Sequence, residues 1–361
     1  MNRIVCCLIL AAVSFGCQKP MPADNQNELP PYTEGGGTDR ITLSLSETEL
    51  VVPKGQYFQL QAIVDPEGTP VIWESDDAAI VRIDKNGRGM AFTLGQTVVR
   101  AVVSEEVFSE CVIKVIEAPE VGSFYYSDGT WSVSLDPDKN VAGVVFWVGD
   151  PTLEDAALKQ DHPHCTHGLV VALNHDQKGY NWQTGYEAYG KTVGEWIEAN
   201  VPEYVTITSP WNHNENVNAI RGYNNTKAIE AFNAAEENAA WPVDVVRYAV
   251  QYRSINPAPE TSSDWYIPSV KECALLIVGE FSGDVLALAG NIYNKAFLDY
   301  KLSLIDGSTP LGRHGVDDDI WSSNERDSEY VFYMSTFEGK VWMNWKEYGS
   351  EHHQVRCILA F

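Results

Sequence analysis

Basic side chains are scarce in this chain. Lysine and arginine together number 25 against 50 aspartates and glutamates, a formal net charge of −25. That sign repels nucleic-acid phosphates and anionic headgroups, so no nucleic-acid partner is expected. Long apolar runs are missing too. The stretch Ile4 to Val13 falls well short of the roughly 20 residues of a membrane-spanning helix. Cysteine is sparse: there are seven, and Cys6, Cys7 and Cys17 fall near the start. What the chain does have is core material, 44% apolar and 11% aromatic residues in 361, enough for more than one domain.

Met1 to Cys17 combine a basic start (Asn2-Arg3), the short apolar stretch and Gly16-Cys17. This resembles a bacterial lipoprotein signal, with Ser14 where that family usually has leucine. The resemblance implies lipidation of Cys17 and attachment to the membrane through that anchor. The location implied is the outer membrane or cell surface, and Lys19 ahead of Asp24 leaves a periplasm-facing orientation open. Residues 18–40, rich in Pro, Asn, Glu and Gly, read as a flexible tether.

From Ile41 apolar residues alternate with polar ones: Ile41, Leu43 and Leu45, then Phe58, Leu60, Ala62 and Val64, then Val71 and Trp73. Period two at short intervals, broken by Gly and Pro, predicts a β-sandwich. Trp73-Glu-Ser-Asp76, Ile83-Asp-Lys-Asn-Gly87, Lys54-Gly55 and Gly95 resemble the bacterial immunoglobulin-like group 2 domain over residues 41–117. A spacer is the role implied.

Beyond Gly122 the chain turns aromatic. Residues 124–131 and 144–148 read as strands and 168–173 as a buried run, while 176–217 have no sustained period apart from a short helix near Glu195. Helices are predicted from Thr226 to Ala239 capped by Asn225 or Thr226, from Pro242 to about Arg253, from Val270 to about Phe281, and from about Asp284 to Tyr300. Ser269 and Glu272 have capping-box spacing in Asp264-Trp-Tyr-Ile-Pro-Ser269, which fixes the third of these starts. Strands return at Tyr330, Phe332 and Met334, at Val341, Met343 and Trp345, and at Val355 to Phe361. Strands at both ends with helices between predict an α+β domain whose first and last strands share one antiparallel sheet.

Gly222-Tyr-Asn-Asn-Thr226, Asp264-Trp-Tyr-Ile-Pro-Ser269, Trp321-Ser-Ser323 and the closing Val355-Arg-Cys-Ile-Leu-Ala-Phe361 resemble the DUF1566 and Fibrobacter-paralogous group of bacterial surface proteins over residues 122–361. That resemblance implies a C-type-lectin-like fold, so the fold class expected is multidomain, an all-β sandwich followed by an α+β lectin-like domain. It also implies a ligand face on the long loop and last strands. The positions that match are Asp317, Asp318, Asp319, Trp321, Asn324, Glu325, Arg326, Trp342, Asn344 and Trp345. Indoles suit sugar faces, and Asn, Asp and Arg suit hydroxyls or backbone. Trp342 and Trp345 lie three apart, so one of them is expected to face the core.

The Glu-Pro-Asn, Gln-Pro-Asp and Trp-Asn-Asp strings of calcium-dependent sugar binding are absent, and Asp317 to Asp319 read as a solvated loop in preference to a calcium site. His162, His164, Cys165 and His167 could supply zinc ligands or a nucleophilic pair, though adjacent residues of an extended segment point apart. No cofactor is expected. Of the cysteines past Cys17, Cys111 falls in the first globular segment and Cys165, Cys273 and Cys357 in the second, and Cys273 with Cys357 is the expected disulfide, buried free thiols being the alternative. The function expected is non-catalytic adhesion to an extracellular glycan or surface protein. The alternatives are an enzyme built on the His162 to His167 region and a structural envelope component without a ligand.

Overall fold

The computed structural model describes residues 41–175, 179–210, 214–312, 319–348 and 353–361. The signal, Cys17, the tether, Asp317 and Asp318 lie outside them. The described residues fall into two compact units that divide between Ile116 and Glu117. No helix among them is long and apolar enough to cross a membrane.

The first unit is all β. Glu49–Pro53, Val107–Ile116, Gly95–Ser104 and Ile72–Ser75 form one sheet, Tyr57–Gln59, Arg88–Ala91 and Val81–Ile83 a second, and Thr42–Leu45 pairs with Ala62–Asp65. The alternating residues Val99, Ala101, Cys111, Ile113 and Val115 meet Leu60, Trp73 and Val81 in its core. Gly87 has a steric reason. Asp84 Oδ1 accepts from the backbone N–H groups of Asn86 and Arg88 (2.8 and 3.1 Å), and the turn carries Gly87 at φ 78° so close to the segment after Tyr57–Gln59 that a Cβ would stand 2.4 Å from Leu60 O.

The second unit is mixed α and β. Its larger sheet runs in the order Trp131–Ser132, Phe124–Tyr126, Val141–Val148, Gly168–Ala172, Ile358–Ala360. First and last strands therefore do share an antiparallel sheet. Successive residues on these strands alternate between two cores: Val144, Phe146, Leu169, Val171 and Ile358 belong to one, Val145, Val170, Ala172, Leu359 and Phe361 to the other. Burial on both faces explains the continuous apolar runs. The second sheet, Val341–Trp345, Tyr330–Met334, Asp319–Glu325 and His353–Gln354, also contributes to both, with Ile320, Phe332 and Met334 in the first and Trp321 and Val331 in the second.

Helices cover both sides. Val270–Val278 and Tyr293–Ser303 pack on the first core, and Val193–Asn200, Gly222–Ala234 and Asp244–Ile255 on the second. The capping box is formed: Ser269 N donates to Glu272 Oε2 at 2.7 Å and Glu272 N to Ser269 Oγ at 3.4 Å. The helix ends at Val278, short of Phe281, because Gly279 leaves at φ 88°.

Three other helix starts differ from expectation, and the helix expected to reach Ala239 ends at Ala234, with a separate short turn at Glu236–Asn238. The Gly222–Ala234 helix begins before Thr226, and carboxylates from elsewhere serve its first turn: Glu272 Oε2 accepts from Gly222 N and Asp155 Oδ2 from Asn224 N, both at 2.9 Å. Asn225 and Thr226 are instead buried, reaching Ser323 Oγ (3.1 Å) and Ile267 N (3.0 Å). The Asp244–Ile255 helix starts past Pro242, and the last helix starts at Tyr293 after a separate short turn, Val285–Ala287.

The expected disulfide does not form. All four described cysteines are free and buried. Cys273 lies in one core of the second unit and Cys357 in the other, so the sheet layer stands between them.

Candidate functional site

The strand Asp319–Glu325 was expected to present ligand-binding side chains, and it is buried along its whole length. Trp321 has no exposed surface, donates Nε1–H to Tyr180 O at 2.7 Å and lies edge-on to His353 with ring centroids 4.2 Å apart. Asn324 Oδ1 accepts from Val270 N (3.0 Å), giving the capped helix a second support from across the fold. Asp319 Oδ1 accepts from Thr336 N (3.0 Å). Glu325 is closed off completely: Oε1 accepts from Gly194 N (2.7 Å) and Thr208 Oγ1 (2.8 Å), and Oε2 faces Lys346 Nζ at 2.8 Å. Trp321, Asn324 and Glu325 are thus scaffold, withdrawn from any ligand surface because a second helical layer covers the face they occupy. Arg326 is largely buried beside Asp327 and over the Tyr330 ring, and Asn344 Nδ2 lies 3.3 Å from His353 Nε2.

The two tryptophans behave differently. Neither faces the core: Trp342 is 47% and Trp345 48% exposed, on a strand that among the described residues is the edge of its sheet and pairs only with Tyr330–Met334. Trp342 donates to Glu338 Oε2 (2.7 Å). Trp345 stands over Tyr330, ring centroids 6.1 Å apart, and beside Tyr348 at 6.2 Å.

Residue alternation at this edge builds a groove. Lys346 turns inward, where Nζ meets Glu325, Gln183 Oε1 (3.1 Å) and the Trp182 ring (5.3 Å to its centroid). Its backbone carbonyl accepts from Trp182 N at 2.7 Å and its N–H donates to Glu329 O at 3.0 Å. Trp345, the last residue of its strand, and Glu347, in the turn that follows, are exposed on either side of Lys346. The pinned segment continues through Gly185, whose N–H donates to Glu347, into the short helix Tyr186–Tyr189. Between that helix, the Ser328-Glu329 turn and Trp345 opens a cavity of about 600 Å³ lined by Tyr186, Glu187, Gly190, Ser328, Glu329 and Trp345. Partial burial raises the Tyr186 phenol pKa, and the nearby Glu187, Glu347 and Glu329 carboxylates raise it further. Among the described residues no ion pair involves those three carboxylates.

Only Trp345 of this groove was marked from sequence. Tyr186, Glu187 and Gly190 come from a stretch without periodicity, and Ser328, Glu329 and Glu347 look like ordinary surface polar residues. The available signal was the triplet Trp345-Lys-Glu347, a lysine between two exposed residues where a strand ends.

The histidine and cysteine cluster does not converge. His162 stacks edge-on to Tyr223 (5.4 Å), His164 is exposed, the Cys165 thiol is buried 3.9 Å from Thr261 O, and His167 packs on Trp131 (5.4 Å). Burial pushes the Cys165 thiol up to about 12 and holds His162 and His167 below the usual histidine value. A thiol so far from ionisation is no nucleophile at neutral pH. Among the described residues no group of three or more His, Cys, Asp or Glu side chains is placed to hold a metal ion.

Comparison with known proteins bears on both units. Residues 42–115 match the bacterial Ig-like domain (group 2) family. A protein of Bacteroides ovatus assigned as the fimbrium tip subunit Fim1C is 25% identical over 240 residues, 60% of this chain and 40% of the relative, so the match spans less than half of that protein. The crystal structure of a fimbrial protein from Bacteroides ovatus superposes with a TM-score of 0.53 at 18% identity, covering 89% of this chain and 71% of the other. This chain is therefore similar in fold, over most of its length, to a fimbrial protein.

Proposed function

We propose that the protein is a cell-surface adhesive subunit of a fimbrial assembly, with the immunoglobulin-like unit as spacer and the unit from Glu117 onward as the head that meets a ligand. The observation that carries this reading is the similarity of 60% of the chain to a fimbrium tip subunit. Fimbrial kinship makes the protein non-enzymatic. The Trp345 groove supports a binding role, since an open cavity with an exposed indole is what a recognition surface requires. Membrane attachment through Cys17, lectin-like descent of the head and a glycan or protein ligand complete the proposal. They are supported by Gly16-Cys17 and by the Trp265-Tyr-Ile-Pro-Ser269 and Trp321-Ser-Ser323 motifs.

The test is adherence of cells with and without the gene to immobilised glycan and host-protein arrays, alongside protease shaving of intact cells. Loss of adherence on deletion and cleavage by external protease are expected. Protection from protease while a known surface marker is stripped would sink the reading.

A further inference from the structure

We infer that the groove beneath Trp345 receives a lysine or arginine side chain of a protein partner. The inference rests on the adhesive reading and names the ligand class of the same site.

The donor and acceptor inventory carries it. The carboxylates of Glu187 and Glu329, which offer acceptors only, line the cavity, Glu347 stands near Tyr186, and no lysine or arginine is paired to any of the three among the described residues. The hydroxyl donors are Ser328 and Tyr186, and the Tyr186 hydroxyl already leans on Glu187 at 3.5 Å. A neutral saccharide both donates and accepts, so much of its hydroxyl inventory would face acceptors alone. An ammonium or guanidinium brings three or five donors and no acceptor, together with an apolar stem. The half-exposed Trp345 indole supplies the face over which such a cation is attracted. A metal ion fits less well, because the carboxylates are not grouped closely enough to share one. Lys346, close by, is turned inward onto Glu325, and none of the residues lining the groove is basic.

Calorimetric titration of the full chain with hexalysine tests this, with fully acetylated hexalysine and a chitosan oligosaccharide as comparisons. Hexalysine is expected to bind, its acetylated form not. Glu329→Gln should weaken binding about three-fold and Trp345→Ala about ten-fold, while Glu105→Gln on the first unit, equally exposed, should leave it unchanged. Equal losses at Glu329 and Glu105 would reduce the effect to net charge and overturn the proposal. Binding of the amino sugar with hexalysine silent would overturn it too. Hexalysine failing to bind while deletion still abolishes adherence removes the cation and leaves the adhesive reading. Site-dependent binding without any adherence phenotype does the reverse.

Discussion

Lys346 meets Glu325 at 2.8 Å in a place where neither side chain has any exposed surface. Such a pair contributes little as a unit, because both ions give up their hydration, but removing one partner strands the other in the interior. Lys346→Met should cost about 3 to 5 kcal/mol, read from denaturant unfolding of the second unit. Glu325→Gln should cost a comparable amount. If both single variants unfold like the parent, the pair has no structural role and the groove needs another explanation for its shape.

The stability contributed by Glu272 should fall as pH rises from about 4.5 towards 7. Burial raises the Glu272 carboxyl from 4.5 to about 7, against the hydrogen bonds it accepts from Ser269 and Tyr266. Below 4.5 both folded and unfolded chains hold the proton. Between 4.5 and about 7 the folded chain holds it and the unfolded chain releases it, so this group's contribution declines by up to about 1.4 kcal/mol per pH unit. Glu272→Gln keeps the capping geometry and should flatten that slope. Parallel profiles for the two proteins would contradict the assignment.

The tryptophans give a contrast of burial. Trp321→Ala empties a fully enclosed site and should cost about 3 to 5 kcal/mol. Trp345→Ala, at a half-exposed edge, should change stability by about 0.5 kcal/mol or less. Thermal melts of the two variants decide it, and equal destabilisation would mean that Trp345 is packed after all.

Thiol labelling should be silent in the native protein. Cys111, Cys165, Cys273 and Cys357 are free and buried, and burial pushes Cys111 up to about 11 and Cys165 and Cys357 up to about 12. Peptide mass spectrometry should find these four sites unmodified by iodoacetamide at neutral pH and fully modified after denaturation, with or without prior reduction. A need for reductant at Cys273 and Cys357 would restore the disulfide.

Local rules made the fold readable where they act within a few residues. Ser269 and Glu272 announced a helix start because both halves of the capping box are three residues apart. The strands at Tyr330 and Val341 announced themselves by alternation. The first turn of the Gly222–Ala234 helix was hidden because its caps, Glu272 and Asp155, are 50 and 69 residues from the N–H groups they satisfy. Gly222 itself is required there, since a Cβ would come within 2.3 Å of Glu272 Oε2 and 2.7 Å of Ile267 O. The strand part of the expected ligand face is withdrawn for a related reason. Asp319–Glu325 reads as polar and accessible, and only the layer packed over it turns Asn324 and Glu325 into internal hydrogen-bond acceptors. Alternation does not say which faces of a sheet are covered when both are.

The pairing of Val171 with Ile358 has a temporal meaning. The strand at this edge of the larger sheet docks beside one from far earlier in the chain, closing a loop that contains most helices of the unit. Loop-closure entropy must be met before either core is sealed. Because this strand places Ile358 and Ala360 in one core and Leu359 in the other, its docking should seal both cores together.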